Sequence, residues 1–153
     1  MKLKEGEYLP LLRVSVSKVC ELPYRKEQLN TPKKIASFSQ TFLNGADREC
    51  VLALAVDASM KPVGFEITAI GSLNSCEISC RELFKNLILS CAYGLVLIHN
   101  HPSGNPCPSR EDDLVTRRIR KAGEILGIEL VDHLVLGEDS YYSYEEDKYN
   151  AYI

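Results

Sequence analysis

Apolar and polar positions first alternate between Leu11 and Glu21, where Leu12, Val14 and Val16 interleave with Arg13, Ser15 and Ser17. Residues two apart share a face of an extended chain, so this spacing predicts a half-buried strand. Residues 1–10 before it read as a poorly ordered start, and Leu22 to Asn30 as a polar loop. The period then changes. Ile35, Phe38 and Phe42 recur at helical spacing behind Thr31-Pro32, a pair suited to an N-cap and a first helical position, and Asn44-Gly45 ends that helix.

Cys50 to Asp57 is an apolar run, followed by a turn at Asp57 to Lys61 and a second strand from Pro62 to Gly71. Together they predict a hairpin. Gly71 to Ile78 reads as a polar loop. Ser79-x-x-Glu82 predicts a capping box that opens a helix to about Tyr93, with Gly94 in the left-handed position beyond its end. Leu95 to His99 is short and wholly apolar up to the histidine, as in a central strand covered on both faces. After a Pro/Gly-rich loop from His101 to Pro108, Ser109-x-x-Asp112 opens a long helix ending near Gly127. Ile128 to Leu136 is a further strand, and Tyr141 to Tyr144 a short last one.

This order predicts an α/β domain, in the α+β sense of one mixed sheet flanked by helices. The expected division is an N-terminal extension over residues 1–30 with one strand and no separate domain, the domain itself over 31–145, and a tail over 146–153. No internal repeat or linker is visible.

Composition narrows the function classes. With 153 residues, 45% hydrophobic and 25% charged, the chain is one domain's worth of ordinary globular protein and not a disordered segment. Its formal charge of −3 gives no global basic field for non-specific nucleic-acid binding. No long apolar run predicts a membrane span, and the first residues carry no secretion signal, so the expected location is cytoplasmic. The six cysteines, at positions 20, 50, 76, 80, 91 and 107, contain no Cys-x-x-Cys pair and are expected as reduced thiols. Cys91, in a helical apolar stretch, is expected in the core.

The candidate chemistry lies in His99-Asn100-His101-Pro102-Ser103-Gly104-Asn105-Pro106-Cys107-Pro108-Ser109-Arg110-Glu111-Asp112. His99 and His101 end a strand two residues apart, so their imidazoles converge. The loop turns back into a helix whose first turn carries Asp112. Two neutral imidazoles and a carboxylate make three ligands of a tetrahedral zinc and leave one position for water, the open arrangement of a catalytic site. A hydrolytic site also needs a general base. The acid with the least ordinary position is Glu66, which lies on the opposite face of its strand from Val63, Phe65 and Ile67 and needs a partner or a metal there.

These residues resemble a known family. His-x-His, seven residues, Ser, two residues and Asp is the motif of the JAMM (MPN-plus, JAB) metalloprotease-like domain. His99 to Gly104, Gly71-Ser72-Leu73-Asn74-Ser75 and Leu130-Val131-Asp132-His133 narrow the resemblance to its RadC-like branch, over about residues 31–145. The resemblance implies a fold similar to cytidine deaminase and a zinc-dependent hydrolase with one zinc per chain, held by His99, His101 and Asp112. It also implies a glutamate that activates the zinc water, at the position of Glu66, and a serine that stabilises the oxyanion, at that of Ser109. The expected substrate is a peptide or a protein conjugate with an amide or isopeptide bond. Cys80 departs from the family's usual proline before Arg81-Glu82. Longer relatives carry an N-terminal helix-hairpin-helix region that this chain starts without, which weakens a direct DNA role.

Other readings stay open at this point. Ser109 and Asp112 also cap a helix, and Glu66 could pair with a cation. His133 is either a partner of a metal ligand or a core histidine, and Cys107 is incidental to the loop. Arg117, Arg118, Arg120 and Lys121 read as a solvated helix face, with a DNA contact as the alternative. An accessory DNA-associated protein of a mobile element or repair pathway, with non-catalytic zinc, is the second function. A phosphodiesterase ranks below both, and the His-Asn-His string is not an HNH nuclease motif. The cluster Tyr141, Tyr142, Tyr144, Tyr149 and Tyr152 is sheet packing or a docking edge. Oligomeric state is not legible.

Overall fold

Seven consecutive buried positions, Gly94 to Asn100, form a strand that must have neighbours on both edges and layers on both faces. The computed structural model, which describes residues 11–19, 28–43, 45–71 and 78–151, shows how these are supplied. The elements are α1 (Pro32–Leu43), β1 (Cys50–Val56), β2 (Pro62–Ile70), α2 (Cys80–Leu89), β3 (Gly94–Asn100), α3 (Arg110–Leu126), β4 (Glu129–Leu136), β5 (Ser140–Ser143) and β6 (Lys148–Ala151). The strands form one sheet in the order β2-β1-β3-β4-β5-β6. Only the β3–β4 pair is parallel. It is the pair joined through a helix, α3, because a parallel return needs a crossover.

Parity along β3 separates two cores. Val96 and Ile98 pack with Leu52, Leu54, Leu134 and the α1 residues Ile35 and Ala36. Leu95 and Leu97 pack with Val51, Ala53, Leu83 and Phe84 of α2 and Ile119 of α3. Each such large aliphatic side chain contributes roughly 1.5–3 kcal/mol by leaving water. Residue 99 continues the second series, so its side chain faces α3.

The expected mixed α/β sheet with flanking helices is the one observed. Thr31 caps α1, accepting from Lys34 N at 3.3 Å. Ser109 and Asp112 form the expected capping box at the start of α3. Gly127, at φ +70°, ends that helix.

Five local expectations are corrected. Residues 11–19 form no strand: Leu11, Leu12, Val14, Val16 and Val19 are all exposed, and β2 remains the sheet edge. Residues 1–10 and 20–27, with Cys20, lie outside the described residues, as do Asn44, residues 72–77 of the predicted loop with Cys76, and Tyr152. Ser79 makes no side-chain cap bond, and Glu82 instead pairs with Lys85. The helix stops at Leu89, and the left-handed residue after it is Cys91, at φ 54°, not Gly94. Cys91 N donates to Ile88 O at 3.1 Å and Ala92 N to Leu87 O at 3.0 Å, the two bonds of a Schellman motif. Cys91 is therefore an exposed thiol and not a core residue. Finally, β6 pairs with β5 inside the segment expected to be a tail.

Candidate metal centre

Strand pairing explains why three distant segments meet. Val51 of β1 lies opposite His99 of β3 in antiparallel register. Glu49, two residues before Val51, therefore falls on the same face beside the end of β3. Asn100 fixes that approach: its Oδ1 accepts from Cys50 N at 2.8 Å and its Nδ2 donates to Arg48 O at 3.2 Å, so the peptide groups on either side of Glu49 are held. The α3 N-terminus brings Asp112 from the other side.

Glu49, His99, His101 and Asp112 each place one ligand atom within 4.8 Å of the others. His99 Nε2 is 3.1 Å from His101 Nε2 and 3.3 Å from Asp112 Oδ1, and Glu49 Oε1 is 3.8 Å from His99 Nε2. Asp112 and His99 lie at the bottom, with side chains 0% and 1% exposed, while His101 at 17% and Glu49 at 12% form the open side. A cavity of about 300 Å³, lined by Gln40, Asn100, His101, Pro102 and Glu138 among others, opens beside His101.

The donor set fits a divalent cation. Asp112 Oδ2 accepts from Ser109 N and Ser109 Oγ, both at 2.7 Å, but Asp112 Oδ1 is buried with no hydrogen-bond partner. A buried carboxylate oxygen without a partner is costly. A cation between it and the two Nε2 atoms would satisfy all three. His101 Nδ1 lies 2.8 Å from the Asn105 carbonyl, which can only accept, so the proton sits on Nδ1 and the Nε2 lone pair turns to the cluster.

Electrostatics agree with this division. Burial lowers the His99 pKa to about 4, so this ring is neutral. Burial also opposes the charged form of His101, but the Asp112 carboxylate and the Asn105 carbonyl outweigh it and raise its pKa. For Asp112 burial favours the neutral acid, yet the His101, His99 and Ser109 interactions prevail and keep it ionised. Below the raised His101 pKa, a metal binding at this cluster therefore displaces one proton, from His101. Apparent zinc affinity is expected to fall about tenfold per pH unit below the His101 pKa. A chelator competition series between about pH 5 and pH 8 checks this, and a slope of two protons contradicts it.

The sequence expectations divide as follows. His99, His101 and Asp112 come together, with Ser109 hydrogen-bonded to Asp112. Glu66 does not join them. It lies on β2, two strands from β3, opposite Ala53 of β1, exposed and taking a hydrogen bond from Asn86 Nδ2. Since Ala53 lies opposite Leu97, Glu66 stands two strand spacings across and two residues back from His99, roughly 12 Å away. The acid the structure brings to the cluster is Glu49. Its signal was its place directly before an apolar strand, which carries meaning only once β1 is known to run antiparallel beside β3.

His133 is buried between Thr116 and His99, with Tyr144 stacked on its ring at 5.0 Å. Asp132 beside it accepts from His133 N, Glu145 N and Ser143 Oγ, and burial raises its pKa to about 6 against those bonds. Cys107 is exposed on the loop. Tyr142 packs against Tyr144 and Tyr149 along β5 and β6. Gly137 holds the ligand loop closely: a Cβ there would meet Gly104 O and lie 2.7 Å from Pro106 Cδ. Gly137→Ala is expected to lower stability by about 1–3 kcal/mol in urea denaturation and to weaken metal binding through His101.

The fold and site define an α/β domain with a partly buried cluster of two histidines and two acids suited to a metal ion. The chain belongs to the RadC-like JAB domain family, whose pattern matches residues 29–149. It is 40% identical over 115 residues to a UPF0758 protein of Desulforamulus reducens, covering 75% of this chain and 51% of that one. A UPF0758 protein of Thermotoga maritima is 35% identical over 127 residues, 83% of this chain and 57% of the relative. One from Desulfitobacterium hafniense is 36% identical over 143 residues, 94% and 63% respectively. The chain thus spans about half to somewhat under two thirds of these relatives' lengths.

Proposed function

We propose that this domain is a zinc-dependent hydrolase of amide bonds in peptides or isopeptide conjugates, with Glu49 as general base. The observation that carries the reading is the convergence of two imidazole Nε2 atoms and an unpaired buried Asp112 oxygen, with a second carboxylate on the open side. His99, His101 and Asp112 would hold the ion. When bound, zinc supplies Lewis acidity and brings the pKa of a water near 7.

The chain's own groups do the rest. Glu49 Oε1 takes the proton of the attacking water and returns it to the leaving amine. Asn100 holds Glu49 by the backbone, and His101 lines the cavity through which a carbonyl would approach. Ser109 donates its only hydroxyl proton to Asp112 Oδ2, so its first task is to hold a ligand. Service to an oxyanion, the role the resemblance implies, requires that proton to rotate away.

We also infer a cytoplasmic setting. Among the described residues no helix is long and apolar enough to cross a membrane. Cys50, Cys80, Cys91 and Cys107 are unpaired thiols, which suits a reducing compartment.

The test is a panel of peptides and ubiquitin-like isopeptide conjugates incubated with zinc-loaded protein. Cleavage that a chelator stops and added zinc restores is expected. Absence of cleavage across the panel by protein of verified zinc content would overturn the hydrolase reading for these bonds.

A further inference from the structure

His133 is the largest buried polar group that the proposed chemistry does not use. Its surroundings fix the direction of a chain of hydrogen bonds. Thr116 Oγ1 lies 2.7 Å from the Asp112 carbonyl and 2.6 Å from His133 Nδ1. The hydroxyl has one proton, and the carbonyl can only accept it. Thr116 must then accept from His133, so the His133 proton is on Nδ1. A second proton on this buried ring, 2% exposed, would be an uncompensated charge. His133 Nε2 is therefore an acceptor. It stands 2.8 Å from His99 Nδ1, which must donate to it. His99 is left with its lone pair on Nε2, the atom 3.3 Å from Asp112 Oδ1.

We infer that His133, oriented by Thr116, is a positioning residue that locks His99 in the Nδ1–H tautomer and so presents its Nε2 lone pair to a metal ion. The inference rests on the metal-centre reading for its purpose. The relay starts and ends on one ligand: the Asp112 carbonyl orients Thr116, Thr116 orients His133, His133 orients His99, and His99 Nε2 returns to the Asp112 carboxylate. Tyr144, whose hydroxyl donates to Asp113 Oδ1 at 2.8 Å, covers the His133 ring in parallel and keeps it from rotating. Had Thr116 given its proton to His133 instead, the protons would run the other way. His99 would then turn an N–H toward the cluster.

The direct test is nitrogen-15 NMR of the histidine side chains in the metal-free full chain, which needs no metal. The expected result is a His99 ring protonated on Nδ1; a ring protonated on Nε2 overturns the inference. Two sets of variants then carry it to the metal. Thr116→Val removes the hydroxyl at nearly constant volume, and His133→Phe removes the acceptor. Each is expected to weaken zinc about 10- to 100-fold in chelator competition. The conservative Thr116→Ser and His133→Gln keep an acceptor in place and are expected within about threefold of the parent, a rescue that packing alone does not give. If Thr116→Val and His133→Phe both melt like the parent and bind zinc equally well, His133 does not position the ligand. A parent chain that holds the Nδ1–H tautomer yet binds no zinc would sink the metal-centre reading while leaving the tautomer assignment standing.

Discussion

Glu49→Gln is expected to lower turnover on any cleaved substrate by at least about a hundredfold, while zinc content and melting temperature stay near those of the parent. The substitution keeps the shape of the side chain and its backbone anchors at Asn100, but removes the proton-accepting charge on the open side of the cluster. Glu66→Gln is the matched control. Glu66 is exposed on β2 and bonded to Asn86, so its loss is expected to change turnover less than about threefold. The pair distinguishes Glu66, the acid the sequence offers for the role, from Glu49, the acid the structure brings to the cluster. Turnover that survives Glu49→Gln and falls with Glu66→Gln would reverse the assignment.

The second large effect is expected at Asp112. Its side chain serves two tasks through two oxygens: Oδ2 closes the capping box with Ser109, and Oδ1 faces the histidines. Asp112→Ala removes both. The lost cap costs about 1 kcal/mol. That is partly offset because a carboxylate 0% exposed is no longer buried. Metal binding, in contrast, is expected to weaken by more than the roughly 10- to 100-fold that loss of an outer partner produces. Asp112→Asn separates the two tasks. It keeps an acceptor for Ser109 and loses the charge, so the metal-free variant is expected to melt near the parent and still bind zinc poorly. Equal zinc affinity in the parent and both variants would remove Asp112 from the ligand set.

The contrast between Glu49 and Glu66 shows what a linear sequence makes legible. The His-x-His spacing, the proline-rich return loop and Ser109-x-x-Asp112 are local. Strand parity and a helix cap suffice to bring three of the cluster residues together. Glu49 enters through the β1–β3 register, a non-local pairing that no local pattern encodes. The strand carrying Glu66 is separated from β3 by β1, and that sheet order is likewise a non-local pairing.

The elements themselves were mostly legible because apolar runs and caps agree. The exceptions have separate causes. Residues 11–19 carry a strand pattern, but alternation creates only a face, and no sheet edge takes it up. At the end of α2, the residue type favours Gly94 for the left-handed position. The chain instead puts Cys91 in the left-handed conformation, at a conformational cost a cysteine rarely bears. Gly94 is reserved for close packing, since a Cβ there would lie 2.7 Å from a Val131 methyl. Ser79 has the capping residue type without the bond, and the Glu82 side chain is engaged by Lys85.

The measurement that bears most directly on the whole account is the zinc content of purified chain by elemental analysis, after reconstitution and removal of loosely held metal. His101→Ala and Asp112→Ala would be run alongside. About one zinc per chain in the parent and little in either variant is the predicted result. No zinc in the parent under reconstituting conditions, or one zinc per chain in all three, would contradict a metal centre held by His99, His101 and Asp112.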